Sequence, residues 1–148
     1  MNPKYTLRTS EQKDAEFLFN VKIEAMKPTS SIVRTALDYD KELAEYLNKF
    51  EPGKVQVIQF DGKDVGRLRI VRSSESIYIG GIQILPEFQG KGIGTAILKD
   101  LINESESTGI PITLEVHYVN EKAIYFYKKI GFQEVGNTEK QILMKYGS

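Results

Sequence analysis

Phe17, Leu18, Val21 and Ala25 recur at helical spacing up to Pro28, so a first helix is predicted behind a short strand near Tyr5 to Arg8. Thr9 and Gln12 stand in capping-box positions ahead of it. The stretch "PTSSIVRT" carries no periodicity and reads as an irregular loop. Beyond it Leu43, Leu47 and Phe50 fall on one face of a second amphipathic helix, which "EPG" stops. The period then changes. "VQVIQF", "VGRLRIV" and "SIYIGGIQIL" are β-rich runs, the first two joined across Asp61-Gly62 and the last two across "RSSES", which predicts an antiparallel meander. A third helix is predicted from about Lys91 to Ser107. "ITLEVHYV" is a strand, Asn120 caps a fourth helix running to Ile130, and Gly131 stands where a C′ glycine belongs. Strands near Phe132 to Val135 and Gln141 to Tyr146 complete a continuous α/β pattern, with no internal repeat or linker to divide it.

Composition limits what this pattern can mean. A chain of 148 residues predicts one domain, burying roughly 68–70% of the surface its unfolded form exposes. Twenty basic residues balance twenty acidic ones, which argues against nucleic acid or an anionic membrane as partner. The absence of cysteine removes disulfides, zinc-thiolate sites and thiol nucleophiles together, and the reading calls for no metal. No apolar stretch is long enough for a bilayer span or a signal peptide, so a cytoplasmic protein is expected.

The chemistry is concentrated in "IQILPEFQGKGIGTAIL", where a strand ends before Pro86 and a helix opens close to Gly92. Such a junction points unsatisfied N–H groups and the positive end of a helix dipole at one spot, and glycine lets an anion approach the backbone. Two better-known phosphate loops fail. Lys91 is followed by Gly92 rather than by Ser or Thr, and Ile97 occupies the third-glycine position of the dinucleotide fingerprint. On the loop alone, glycines that merely permit a tight turn explain the pattern equally well.

Gln89-Gly90-Lys91-Gly92-Ile93-Gly94 resembles the Q/R-x-x-G-x-G/A signature of the GNAT family of N-acetyltransferases, in which this loop grips the pyrophosphate of acetyl-CoA. A second motif agrees: "NEKAIYFYKKIGF", Asn120 to Phe132, is similar to the family's later Asn and its helix ending in Tyr-x-x-x-Gly-Phe. The resemblance covers essentially the whole chain and is weakest before Val55. It implies a mixed, mostly antiparallel sheet of about seven strands flanked by about four helices, with acetyl-CoA as cosubstrate and an amine as acceptor. Whether two copies pair as a homodimer stays open.

The resemblance also implies roles for individual residues. Gln89, Gly90, Lys91, Gly92, Ile93, Gly94 and Thr95 would surround the pyrophosphate. Ile82, Gln83 and Ile84 would offer backbone groups to the pantetheine arm, with the N–H of about Ile84 as oxyanion donor. Gly80-Gly81 would mark a bulge in that strand, although a simply weakened strand is the alternative. Asn120 and Tyr127 would complete the cofactor site. Tyr127 aligns with the general acid that protonates the departing thiolate, while at 100° per residue Tyr125, Phe126 and Tyr127 cannot all face one way.

An amine near pKa 10 must lose a proton before attack. In "TLEVHYVN" Leu114 and Val116 share one face, and Thr113, Glu115 and His117 the other. The segment looks like the "LEV…N" strand of ribosomal-protein N-terminal acetyltransferases, where the glutamate is the base. Glu115 is the first candidate; His117, whose unperturbed pKa suits a base at neutral pH, and a chain of waters are the others. A non-catalytic acyl-CoA-binding module of the same fold is the alternative to an enzyme. The retained Tyr127 and Asn120 favour the enzyme. Acidic Glu24, Asp38, Asp40, Glu42 and Glu45 alternate with Lys22, Lys27, Arg34 and Lys41, so no field identifies the acceptor.

Overall fold

A computed structural model of the chain describes residues 4–26 and 35–147. Pro28 and most of the loop expected after it lie outside the described residues. Seven strands are hydrogen-bonded in the order β1-β2-β3-β4-β5-β7-β6. They are β1 (Tyr5–Thr9), β2 (Gln56–Phe60), β3 (Lys63–Arg72), β4 (Ile77–Ile84), β5 (Ile112–His117), β6 (Gln133–Asn137) and β7 (Gln141–Tyr146). The helices are α1 (Ala15–Met26), α2 (Ala36–Lys49), α3 (Ile93–Thr108) and α4 (Glu121–Ile130). β4 and β5 pair parallel, whereas β1 with β2, β2 with β3, β5 with β7 and β6 with β7 are antiparallel. Seven strands, four helices and a mostly antiparallel sheet match the fold class expected above. The chain clusters into two compact units, Met1–Arg69 with Gly81–Ala96 and Ile70–Gly80 with Ile97–Ser148.

In the first unit the β2–β3 hairpin turns on Asp61 (φ 55°) and Gly62 (φ 75°), the two left-handed residues that a tight two-residue loop demands. Leu18 of α1 is buried with Val55 and Val57, and Phe17, Tyr46 and Phe50 pack against them. The inward stripe of α2 differs from the expected one. Tyr39 and Tyr46 each bring their rings to 5.4 Å from Phe19, and Tyr46 lies 5.9 Å from Phe50, whereas Leu47 is 40% exposed. Positions 39, 43, 46 and 50 share one helical face, so Leu43 and Phe50 of the expected stripe are half-buried there; Tyr39 and Tyr46 reach Phe19, while Leu47, one position beyond Tyr46, is turned outward.

The capping expectation is also corrected. The cap is made not by Thr9 and Gln12 but by Asp14, whose Oδ2 accepts from the Glu11 N–H at 2.8 Å. Asp14 is itself gripped by both terminal nitrogens of Arg8, at 2.8 and 2.9 Å, and Arg8 extends a further bond of 2.9 Å to Asp64 on β3. This guanidinium, with the Glu11 N–H, overcomes burial and holds the Asp14 carboxyl down at about 2. A depressed carboxyl stabilises the fold above its unfolded pKa, and that contribution disappears as pH falls through its folded value. The stability attributable to Asp14, on the order of 2 kcal/mol, should therefore be present above about pH 4 and vanish toward pH 2. Denaturant titrations across that window check it, with Asp14→Asn expected to be less stable at neutral pH and flatter in acid.

In the second unit β5 buries Ile112, Leu114 and Val116 and turns Thr113, Glu115 and His117 to the other face, the alternation expected from sequence. Asn120 caps α4, its Oδ1 accepting from the Ala123 N–H at 3.3 Å. Gly131 closes the same helix at φ 118°, and a Cβ there would lie 3.0 Å from the Tyr146 ring. Glycine is required both for the backbone and for the space.

Candidate active site

In the first unit the quoted strand, turn and helix are built as follows. β4 ends at Ile84, and Leu85 donates its N–H to Val65 on β3 at 2.9 Å. Pro86–Phe88 form one 3₁₀ turn, and the Gln89 side chain folds back to donate to the Ile84 carbonyl at 2.9 Å. Gly90 and Gly92 follow with φ of 80° and 83°, values that side chains rarely tolerate. The helix opens at Ile93, two residues later than expected, and its first bond back runs from the Ala96 N–H to the Gly92 carbonyl. Ile93 is 1% exposed, so its side chain pins the turn to the core. The N–H groups of Ile93, Gly94 and Thr95 therefore lie in the first turn, beside exposed Lys91 and Gly92, where helix geometry supplies no carbonyl partner. The arrangement suits an anion.

The backbone of β4 has two distinct edges. A Cβ built on Gly66 of β3 would lie 2.5 Å from the Gln83 carbonyl oxygen and 3.3 Å from the Ile84 Cα. The close backbone approach thus falls at Gly66, whereas a Cβ at Gly81 would meet only the Arg67 and Gln83 side chains. Gln83 and Leu85 direct their peptide groups to β3, so strand alternation turns the N–H groups of Ile82 and Ile84 to the opposite edge. In the second unit, registered pairing of β4 with β5 covers Ile77 to Ile79 and stops just before the two glycines.

Arg67 was overlooked in the sequence reading. It is only 7% exposed on β3, donates from Nη1 to Gln83 Oε1 at 2.7 Å, and leaves its Nε buried without a partner. Burial draws its pKa below the ordinary arginine range, opposed by the Tyr46 phenol. The available signal was a charge inside "VGRLRIV", an otherwise apolar run.

The remaining candidates belong to the second unit. Tyr127 of α4 is 9% exposed, with its ring 5.5 Å from Phe126 and 5.5 Å from Phe132, and burial pushes its phenol up to about 12. Tyr125 is 68% exposed, which separates the members of "YFY" as helical geometry requires. Glu115 is exposed on β5 with Oε1 a long 3.5 Å from the Tyr78 hydroxyl. His117 accepts the Val119 N–H at Nδ1 (3.3 Å) and stacks on Tyr118. Asn120 spends its carbonyl oxygen on the cap. Among the described residues no cluster of His, Cys, Asp or Glu could hold a metal ion, and no helix is long and apolar enough to cross a membrane.

Comparison with known proteins places the chain among relatives of one family. The acetyltransferase (GNAT) family matches residues 21–132. An uncharacterised N-acetyltransferase of Methanocaldococcus jannaschii is 27% identical over 138 residues, covering 88% of this chain and 61% of its own length. The peptidyl-lysine N-acetyltransferase YjaB of Escherichia coli is 24% identical over 140 residues, covering 95% and 90%. The chain thus spans about three fifths of the first relative and most of the second. Among solved structures, the PaiA N-acetyltransferase of Thermoplasma acidophilum in complex with coenzyme A superposes with a TM-score of 0.73 at 20% identity, over 98% of this chain and 99% of that one.

Proposed function

Because the chain belongs to the acetyltransferase (GNAT) family, we propose that it is a single acetyltransferase domain that moves the acetyl group of acetyl-CoA directly to a primary amine. The observation that carries this reading is the junction from β4 to α3. Two left-handed glycines, an anchored Ile93 and a turn of free N–H groups form a cradle for a diphosphate. Lys91 adds a positive charge there. Ile82, Gln83 and Ile84 guide the pantetheine arm, and the Ile84 N–H receives the negative charge that develops on the thioester oxygen as the amine attacks.

Glu115 takes the proton from the attacking amine, and Tyr127 supplies one to the departing thiolate. The second transfer is demanding. From a phenol at about 12 to a thiolate near 8.5 it runs uphill by roughly 5 kcal/mol, so the proton must move as the C–S bond breaks and not before. A neutral phenol also suits the burial of Tyr127 better than a phenolate would. The acceptor is a small-molecule amine or a peptidyl one, as the name of the Escherichia coli relative illustrates.

Gly94→Asp tests the cradle. Gly94 has ordinary backbone, and a Cβ there meets only the Ile84 Cδ1 at 3.7 Å, so the variant should fold. Gly92→Asp adds backbone strain and is the less clean choice. Calorimetry should show acetyl-CoA affinity falling by about tenfold or more when a carboxylate is placed among N–H groups meant for a phosphate. Parental affinity would put the diphosphate elsewhere. Release of CoA on adding an amine separates the enzyme from a binding module of the same fold.

A further inference from the structure

Arg67 goes beyond this reading, on which the identity of the bound amine rests, because it bears on what else that amine carries. A guanidinium in the interior is ordinarily neutralised by a carboxylate, since desolvating an unpaired charge costs several kcal/mol. Here the Nη1 bond goes to a neutral amide, the Tyr46 phenol is a second neutral neighbour, and the Nε is buried without a partner. Among the described residues no carboxylate forms an ion pair with it, and the stretches 1–3, 27–34 and 148 contain no Asp or Glu.

Two further features hold the guanidinium ready. A Cβ on Gly81 would press to 3.1 Å from Nη1, so the bare residue keeps that flank clear, and Gln83 fixes the rotation of the planar group. Lys22 on α1 adds a second cation: burial draws its pKa down, the Arg67 charge adds to that, and Glu42 draws it back. The group is thus a positive charge oriented by Gln83, with the neutral Tyr46 phenol beside it and no carboxylate to neutralise it, the form that recognises a carboxylate. A polyamine would bring another ammonium toward two cations.

We propose that Arg67 anchors a carboxylate carried by the acceptor, so that the acceptor is an amino acid or an acidic peptide rather than a polyamine. Calorimetry tests this with the common amino acids against their C-terminal amides, and the amide of Ala-Glu against that of Ala-Gln, titrated into free and CoA-saturated protein. At least one acid should bind about tenfold or more tighter than its uncharged counterpart. A winning free amino acid places the carboxylate beside the amine; a winning Ala-Glu amide alone places it on a side chain. Arg67→Met should erase the difference while preserving CoA affinity and melting temperature, because it removes a buried unpaired charge and keeps the stem. Gly81→Ala, which keeps the charge but crowds it, should narrow the difference. The inference fails if no acid outbinds its counterpart, or if the preference survives Arg67→Met. It fails equally if Arg67→Met and Arg67→Gln both melt many degrees lower, since the arginine would then be serving the fold. The CoA affinity of the parent, read in the same titrations, reports separately on the acetyltransferase reading.

Discussion

Tyr127→Phe should lower kcat by about 10² to 10⁴ with little change in acetyl-CoA affinity, the range expected for loss of a positioned acid. Only an oxygen is removed, so the ring keeps its packing against Phe126 and Phe132. The burial that raises the phenol to about 12 adds a second readout. Below about pH 10 both folded and unfolded forms hold the proton, so the residue contributes no slope. Above that the unfolded chain ionises first, and the folded state loses stability as pH climbs toward about 12. The variant should lack this alkaline decline. It follows also that ionisation of Tyr127 cannot produce an alkaline limb in the rate profile at ordinary assay pH. Parental kcat in Tyr127→Phe, measured where chemistry limits the rate, would remove the general-acid role and favour the binding module.

Glu115→Gln should lower kcat/KM by about 10²-fold or more with the true acceptor, and erase one ionisation from the acidic limb of the pH profile. A carboxylate that must be unprotonated to work loses activity as pH falls; an amide cannot. The position is favourable because Glu115 is exposed on the face of β5 opposite buried Leu114 and Val116, where substitution leaves the core untouched. Thermal stability should therefore stay near parental, separating loss of chemistry from loss of fold. An acidic limb identical in parent and variant would assign proton removal to water or another group.

The parts of this protein that could be read from sequence are those whose cause lies within a few residues. The alternation of β5, the Asp61-Gly62 turn, the Asn120 cap and the left-handed Gly131 are all local events. So is the glycine cradle, and its match to a family motif lent it a meaning that geometry alone did not supply. The misread parts depend on distant partners. Asp14 became the cap because Arg8 grips it, and Arg8 is itself held by Asp64, which no window containing Asp14 reaches. The tyrosines of α2 turned inward because Phe19 of α1 offers a ring to each. Arg67 looked like any strand charge until β4 placed Gln83 against it.

Gly66 carries a consequence for how this protein tolerates change. It belongs to β3, is buried, and would meet a bound cofactor nowhere in the proposed chemistry, yet a single methyl there would collide with the Gln83 carbonyl at 2.5 Å. The obstacle is backbone, so relief requires the strand itself to move, and moving Gln83 re-aims the Ile84 N–H beside it. The alignment of the proposed oxyanion donor is thus inherited from an absence one strand away. In a random-mutation survey scored by turnover, position 66 would behave like an active-site residue while making no active-site contact. Its fingerprint would be distinctive: variants that still fold would lose rate before they lose cofactor, because an N–H displaced by a few tenths of an ångström can remain near a thioester and no longer point at its oxygen.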